Sequence, residues 1–264
     1  MKNTLLREMA GISPEAGHFA LCHLGQHSFL LKLGDALLYL DPYLVPNPKR
    51  LIPPMIEAAE ASGALIVLGT HDHADHIDRP SWPLIAQASP GARFIVPEAV
   101  RPTITEVPAA RLTGMNAGET VKIGGIRINA VPAAHELLDR DPKTGLYPYL
   151  GYVIEGNGVT IYHSGDCCLY EGIAAKLRQW KLDLALLPIN GRDAWRFTHD
   201  IIGCMTYQEA ADLAGAIRPK RVMPAHYDMF QANTEDPQKF LDYVHVKYPD
   251  LVAELPPTGK VAVY

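Results

Sequence analysis

Along much of this chain the apolar residues fall in short blocks closed by glycine, proline or asparagine, a pattern of strands rather than long helices. Phe19 to His23, Ser28 to Leu33 and Ala36 to Asp41 read as strands, the last two joined by a Gly34-Asp35 hairpin turn. Pro42 to Pro54 holds five prolines and is a loop by composition. Pro53 to Ser62, closed by Gly63, reads as a helix leading into the apolar run Ala64 to Leu68. Asp78 is placed to cap a helix from about Pro80 to Ala88, ended by Pro90-Gly91.

Two further hairpins follow. Glu119 to Ile123 meets Ile126 to Val131 across Gly124-Gly125, and Tyr149 to Glu155 meets Val159 to His163 across Gly156-Asn157-Gly158. Helices are predicted at Leu169 to Gln179, Thr206 to Ile217 and Pro237 to Tyr248, with strands at Asp183 to Pro188 and Arg221 to Pro224. Thr206-Tyr207-Gln208-Glu209 has the spacing of a capping box, which fixes one helix start. Hairpins followed by strands alternating with helices predict an α/β (α+β) fold, with sheets covered by helices. No break in composition divides residues 1–264, so one domain is expected.

Composition narrows the function classes. Hydrophobic residues make up 48% and charged residues 20% of the 264, ordinary values for a soluble globular protein. A net charge of −5 argues against a nucleic-acid groove, which needs a basic stripe. No apolar run reaches membrane-spanning length, and the first residues lack a signal peptide's apolar core. The expected location is the cytoplasm, with neither nucleic acid nor membrane as partner. The four cysteines show no C-x-x-C spacing and are expected to be reduced, buried and inert.

The chemistry concentrates in His71-Asp72-His73-Ala74-Asp75-His76, directly after the run Ala64 to Leu68. Three imidazoles and a carboxylate at a strand end suit zinc, manganese or iron. Alternation in an extended segment points His71, His73 and Asp75 one way, with His76 turned at the following helix. Ligands aimed in two directions exceed what one tetrahedral ion uses, so two ions can share the loop. Further ligands must come from distant strand ends, where His135, Asp166 and His226 are the candidates. Asp41 can hydrogen-bond a metal-bound imidazole from behind, His163 reads as structural, and His27 lies at a strand start that can reach the site.

The order H-x-H-x-D-H, a lone His, an Asp in Ser-Gly-Asp and a late His resembles the metallo-β-lactamase-fold hydrolases. In Thr70 to Asp78, Tyr162 to Asp166 and Pro224 to Asp228 the chain is most similar to the L-ascorbate-6-phosphate lactonase-like branch. The resemblance implies a four-layer αββα sandwich with a site at one edge of its two sheets. It implies one divalent ion on His71, His73 and His135, a second on Asp75, His76 and His226, and Asp166 bridging them. Zinc or manganese is the expected metal, and the related lactonase implies self-association into a homo-oligomer.

Two such ions lower the pKa of a bound water and can hold hydroxide for attack on a carbonyl or phosphoryl centre. Asp75 would orient that nucleophile and accept its proton, and Tyr227 could donate to an oxyanion. Asn190, Arg192 and Arg196 are expected to bind an anionic small molecule through paired donors. Pro42 to Pro54 is expected to act as a lid. The predicted activity is hydrolysis of a small ester or lactone, including a phosphorylated sugar lactone. The alternatives are a phosphodiesterase and a metal-bound structural or assembly protein without turnover.

Overall fold

The computed structural model describes residues 3–264. Its first sheet holds β1 (Ala20–Gly25), β2 (Ser28–Leu33), β3 (Ala36–Leu40), β4 (Ala64–Leu68), β5 (Arg93–Pro97) and β6 (Leu112–Met115). Its second holds β7 (Thr120–Ile123), β8 (Ile126–Pro132), β9 (Leu150–Gly156), β10 (Val159–His163), β11 (Leu184–Pro188), β12 (Arg221–Ala225) and β13 (Val252–Ala253). The last strand, β14 (Ala262–Val263), returns to pair with β1, making both sheets seven-stranded. Each sheet is mixed: β1 to β3 and β7 to β10 pair antiparallel as hairpins, while β3 to β6 and β10 to β13 run parallel.

Strand alternation sends every second side chain to the opposite face, and here both faces are covered. Leu38, Leu40, Ile66 and Leu68 meet Ile128, Ile154, Ile161 and Leu186 in a layer between the sheets. Their sequence neighbours Leu37, Tyr39 and Val67 face outward against Leu6 and Met9 of α1 (Thr4–Gly11) and Trp82 and Ile85 of α2 (Trp82–Ala88). On the far side, Val153, Ala185 and Val222 pack against α3 (Ile173–Leu177), α5 (Tyr207–Ile217) and α6 (Pro237–Lys247). The short α4 (Ala194–Thr198) lies in the loop after β11. Three stacked apolar layers define the αββα arrangement expected from the resemblance. Among the described residues no helix is long and apolar enough to cross a membrane.

Several elements differ from expectation for local reasons. Residues 53–62 form only one 3-10 turn, Ala58–Glu60. The backbone beyond it bonds to the tertiary structure instead: Ser89 Oγ donates to the Ala61 carbonyl at 2.8 Å, and Tyr39 Oη to that of Ser62 at 3.2 Å. The helix expected from Leu169 shrinks to α3, because Gly172 takes a left-handed φ of 90° and Cys168 N is held by the Ala134 carbonyl. Asp78 lies before α2, which starts at Trp82 after Ser81, and it caps the turn that leads in: its Oδ1 accepts from Ser81 N at 3.3 Å and its carbonyl from Trp82 N at 3.0 Å. Its carboxylate accepts from Leu44 N at 2.7 Å and Val45 N at 2.8 Å, tying down the proline-rich loop. The capping box at α5 forms as expected. Pattern reading passed over α1, β5, β6, α4, β13 and β14.

Candidate metal centre

Topology brings the chemistry together. Because β8 and β10 both run antiparallel to β9, and β12 runs with β10, strands β8, β10 and β12 end on one edge. In the facing sheet β3 and β4 run parallel and β2 starts where β3 ends, so their corresponding ends share an edge too. Residues just past these ends are His71, His135, Asp166 and His226, with Asp41 after β3 and His27 before β2. Left-handed backbone marks the same place. Gln26, Asp41, Glu136 and His226 are non-glycine residues with φ of 54°, 43°, 71° and 60°. Such strain clusters at sites where side-chain aim is over-determined by the surroundings.

All seven side chains expected from the sequence converge. Ligand atoms of His71, His73, His135 and Asp166 lie within 4.8 Å of one another, as do those of Asp75, His76 and His226. Asp166 joins the two groups: its Oδ1 is 3.2 Å from His76 Nε2, and its Oδ2 is 3.2 Å from His226 Nε2 and 3.7 Å from His135 Nε2. His73 Nδ1 and His135 Nε2 approach to 3.2 Å. Two ligands of one tetrahedral zinc, bound at about 2.0–2.1 Å, stand roughly 3.3 Å apart, so this pair, hydrogen-bonded in the bare protein, is also spaced to share a cation.

Tautomers fixed from behind point free lone pairs into the centre. Asp41 is fully buried and, as a carboxylate, only accepts. Thr70 N, Thr70 Oγ1, His76 Nδ1 and His163 Nε2 donate to it at 2.8, 2.8, 2.7 and 3.0 Å. With its proton committed to Asp41, Thr70 Oγ1 accepts from His71 Nδ1 at 3.1 Å. The Nε2 atom of His71 therefore carries a lone pair, and that of His76 carries one once its ring is neutral. His71 Nε2 is buried with no hydrogen-bond partner among the described residues, a costly state that a bound cation removes, while His76 Nε2 lies 3.2 Å from Asp166 Oδ1, where a proton or a cation can sit.

Electrostatics fit the same group. Burial, followed by the charge of His76, holds His71 well below 6.5, and burial pushes His135 down to about 4, so both imidazoles are neutral as ligands must be. Burial opposes charge on His76 as well, yet Asp166, Asp41 and Asp75 hold its pKa well above 6.5. In the bare protein a proton supplies the positive charge these carboxylates demand. Gln26 Nε2 donates to Asp75 Oδ2 at 2.9 Å and to His226 Nε2 at 3.1 Å, adding N–H groups at the second cluster.

Sequence reading missed two neighbours, Gln26 and Cys204, and reached a third, His27. Gln26 carried no chemical signature beyond its place in Gly25-Gln26-His27-Ser28. His27 is buried with neither ring nitrogen bonded among the described residues, and its Nδ1 sits 3.5 Å from Asp166 Oδ1. Burial and the adjacent His163 push its pKa down to about 3. Cys204, expected to be inert, offers its thiol beside Asp166 and His226; burial and Asp166 hold its pKa well above the usual range.

A cavity of about 330 Å³ opens over the centre, lined by His73, Ala74, Asp75, Asp166 and His226 below. Its walls are Tyr43, Asn47, Asp200, Ile201, Ile202, Phe230 and Asn233. The four residues expected to contact substrate do not line it. Tyr227 turns away to a separate hollow with Pro256, Pro257 and Thr258, its ring 5.5 Å from that of His23. Arg192 is spent on Glu209, donating to both carboxylate oxygens at 2.6 and 2.7 Å, and on the Cys204 carbonyl. Arg196 donates to the carbonyls of Ala232 and Thr234 and ties two loops together. Asn190 is fully buried and donates at 2.8 Å to Asn233, which lines the cavity in its place. Nor is the proline-rich segment a free lid. Asp78 and Arg50 bond its backbone, and Tyr43 and Asn47 make it a fixed wall.

Comparison with known proteins agrees with the geometry. Residues 36–227 match the family model described as the beta-lactamase superfamily domain. A UPF0173 metal-dependent hydrolase of Thermococcus kodakarensis is 34% identical over 82% of this chain and 88% of its own. The metallo hydrolase Igni18 of Ignicoccus hospitalis superposes with a TM-score of 0.74 at 22% identity, covering 94% of this chain and 98% of that one. An isothiocyanate hydrolase from Delia radicum gut bacteria shares the fold with a TM-score of 0.72 at 14% identity, over 93% and 98% of the two chains. Strand order, the edge-on histidine and aspartate cluster and these likenesses agree: the chain belongs to the metallo-β-lactamase superfamily, among its metal-dependent hydrolases.

Proposed function

We propose that residues 1–264 act as one domain, a cytoplasmic dinuclear hydrolase of a small acyl substrate. His71, His73 and His135 would hold one divalent cation, Asp75, His76 and His226 a second, with Asp166 placed between the two groups. The observation that supports this reading is the Asp166 carboxylate, whose Oδ2 is 3.7 Å from His135 of the first group and 3.2 Å from His226 of the second, and whose Oδ1 is 3.2 Å from His76. Zinc or manganese fits this nitrogen and carboxylate donor set. Two such cations lower the pKa of a water and polarise an acyl oxygen.

The chain's own residues supply the rest. Asp75 is part-exposed at the cavity floor and accepts from Gln26, leaving its other oxygen to orient water and take its proton. That proton passes to the alkoxide as the acyl C–O bond breaks and the water oxygen bonds to the acyl carbon. Asp166 balances charge between the clusters. The phosphorylated sugar lactone loses its support, because the guanidiniums meant to bind its phosphate are paired elsewhere.

His73→Ala tests the ligand assignment. Elemental analysis should fall from two equivalents of metal towards one, with hydrolysis lost and the circular dichroism spectrum kept. Retention of both equivalents with full turnover would refute it.

A further inference from the structure

The walls of the cavity carry chemistry that the metal cluster does not explain. None of the residues lining it is Lys or Arg, and its only charged wall residue outside the cluster is the exposed Asp200. Tyr43, Phe230, Ile201 and Ile202 give it apolar sides, and Asn47 and Asn233 give it amides. An anionic group lying away from the cations would face Asp200 and apolar walls with no positive partner, losing hydration without compensation.

A second hollow adjoins the cavity. Ile201 and Ile202 are shared with a neighbouring hollow of about 300 Å³, lined further by Phe197, Ala194 and Gly203 and, at its edges, by Glu136 and Asp193. Arg192 lies in that wall with its charge already matched by Glu209. Phe197 and Ile202 leave 66% and 39% of their surface exposed there, apolar area that a hydrocarbon chain crossing Ile201 and Ile202 would cover.

We propose that the substrate is an uncharged ester or lactone whose acyl chain runs from the metal centre over Ile201-Ile202 into this second hollow. The assignment rests on the hydrolase reading above and names its substrate class. The bond broken is still the acyl C–O bond, with water supplying one oxygen to the acid and one proton to the alcohol. Ile201, Ile202 and Phe197 then set chain-length preference, and the absent cation sets preference against acids.

The test uses the full-length metal-loaded protein and p-nitrophenyl esters from acetate to octanoate, beside esters whose chains end in a carboxylate. Cleavage of acetate reports on the hydrolase reading; the profile along the series reports on the substrate class. With acetate cleaved, kcat/KM should climb by up to about fourfold per methylene through the middle of the series. The carboxylate-ended ester should be at least tenfold poorer than its neutral match. Ile202→Lys should lower the ratio of neutral to carboxylate-ended turnover at least tenfold, and Phe197→Ala, at an exposed position, should flatten the profile. Cleavage of acetate with a flat profile, or with the acids preferred, overturns the proposal and leaves the hydrolase standing. So does a dimer that Phe197→Ala dissociates without changing the profile. Failure on every ester sinks both.

Discussion

Asp41→Asn replaces one buried oxygen by an amino group and tests how the centre is held from behind. The amide oxygen can keep the bond from Thr70 N. The amino group must then face Thr70 Oγ1, His76 Nδ1 and His163 Nε2, three groups that donate to the carboxylate at 2.8, 2.7 and 3.0 Å. His76 can relieve that clash only by moving its proton from Nδ1 to Nε2, which removes the lone pair aimed at the centre. Losing an outer partner of this kind costs about 10–100-fold in metal affinity, roughly 1.4–2.7 kcal/mol. Each buried donor left unbonded costs about 1–3 kcal/mol besides, so the metal-free variant should also melt lower. Competition with a chromophoric chelator resolves the two affinities. The site served by His76 should weaken by one to two decades, and the His71 site by less, because Thr70 Oγ1 still has a lone pair for His71. A folded variant with both affinities unchanged would show that Asp41 does not set the tautomers, and the ligand geometry argued here would fall.

Two other perturbations probe the scaffold. Gly165 has φ 58°, and a Cβ there would stand 2.7 Å from Thr70 Cβ. Gly165→Ala should therefore cost about 2–4 kcal/mol and lower the melting temperature by roughly 5–10 °C, with metal content falling as Asp166 shifts; an unchanged melt and metal count would contradict this. His23 is fully buried, and burial pushes its pKa from 6.5 down to about 4. Between those values the unfolded chain binds the extra proton, so this stability is complete above pH 6.5 and drains as pH falls towards 4. Going from pH 7 to 5 should cost about 2 kcal/mol through His23, and urea unfolding of metal-free His23→Gln should lack that part of the decline. Equal declines in both proteins would refute the assignment.

How far the sequence could be read depended on whether a feature is local. The hairpins at Gly34, Gly124-Gly125 and Asn157-Gly158 need turn residues beside apolar alternation, and all three form. The Thr206 box needs four consecutive residues, and it forms. The metal cluster was legible because six residues of one loop already hold most of the donors; strand ends offered His135, Asp166 and His226, and the family resemblance assigned them to the two ions. Residues 53–62 show the converse. Their composition suits a helix, yet Ser89 and Tyr39 take the carbonyls of Ala61 and Ser62, and no sequence window contains those partners.

The same distinction governs the substrate side, where the sequence misled. Arginine near a site mouth promises an anion-binding charge only if nothing in the fold claims it first. Glu209 was already recognised as the acid of a capping box. Its Oε2 accepts from Thr206 N at 2.9 Å as that role requires, and the same carboxylate then pairs both terminal nitrogens of Arg192, seventeen residues away. Arg196 is claimed by two backbone carbonyls of the loop before α6. Metal ligands are selected by residue type, since few groups can bind a cation. The charge of a cavity wall is what remains after long-range pairing, and here the residue is one carboxylate, two amides and apolar surface. A substrate inferred from counting basic residues in that loop would carry a charge that the folded site has no means to receive.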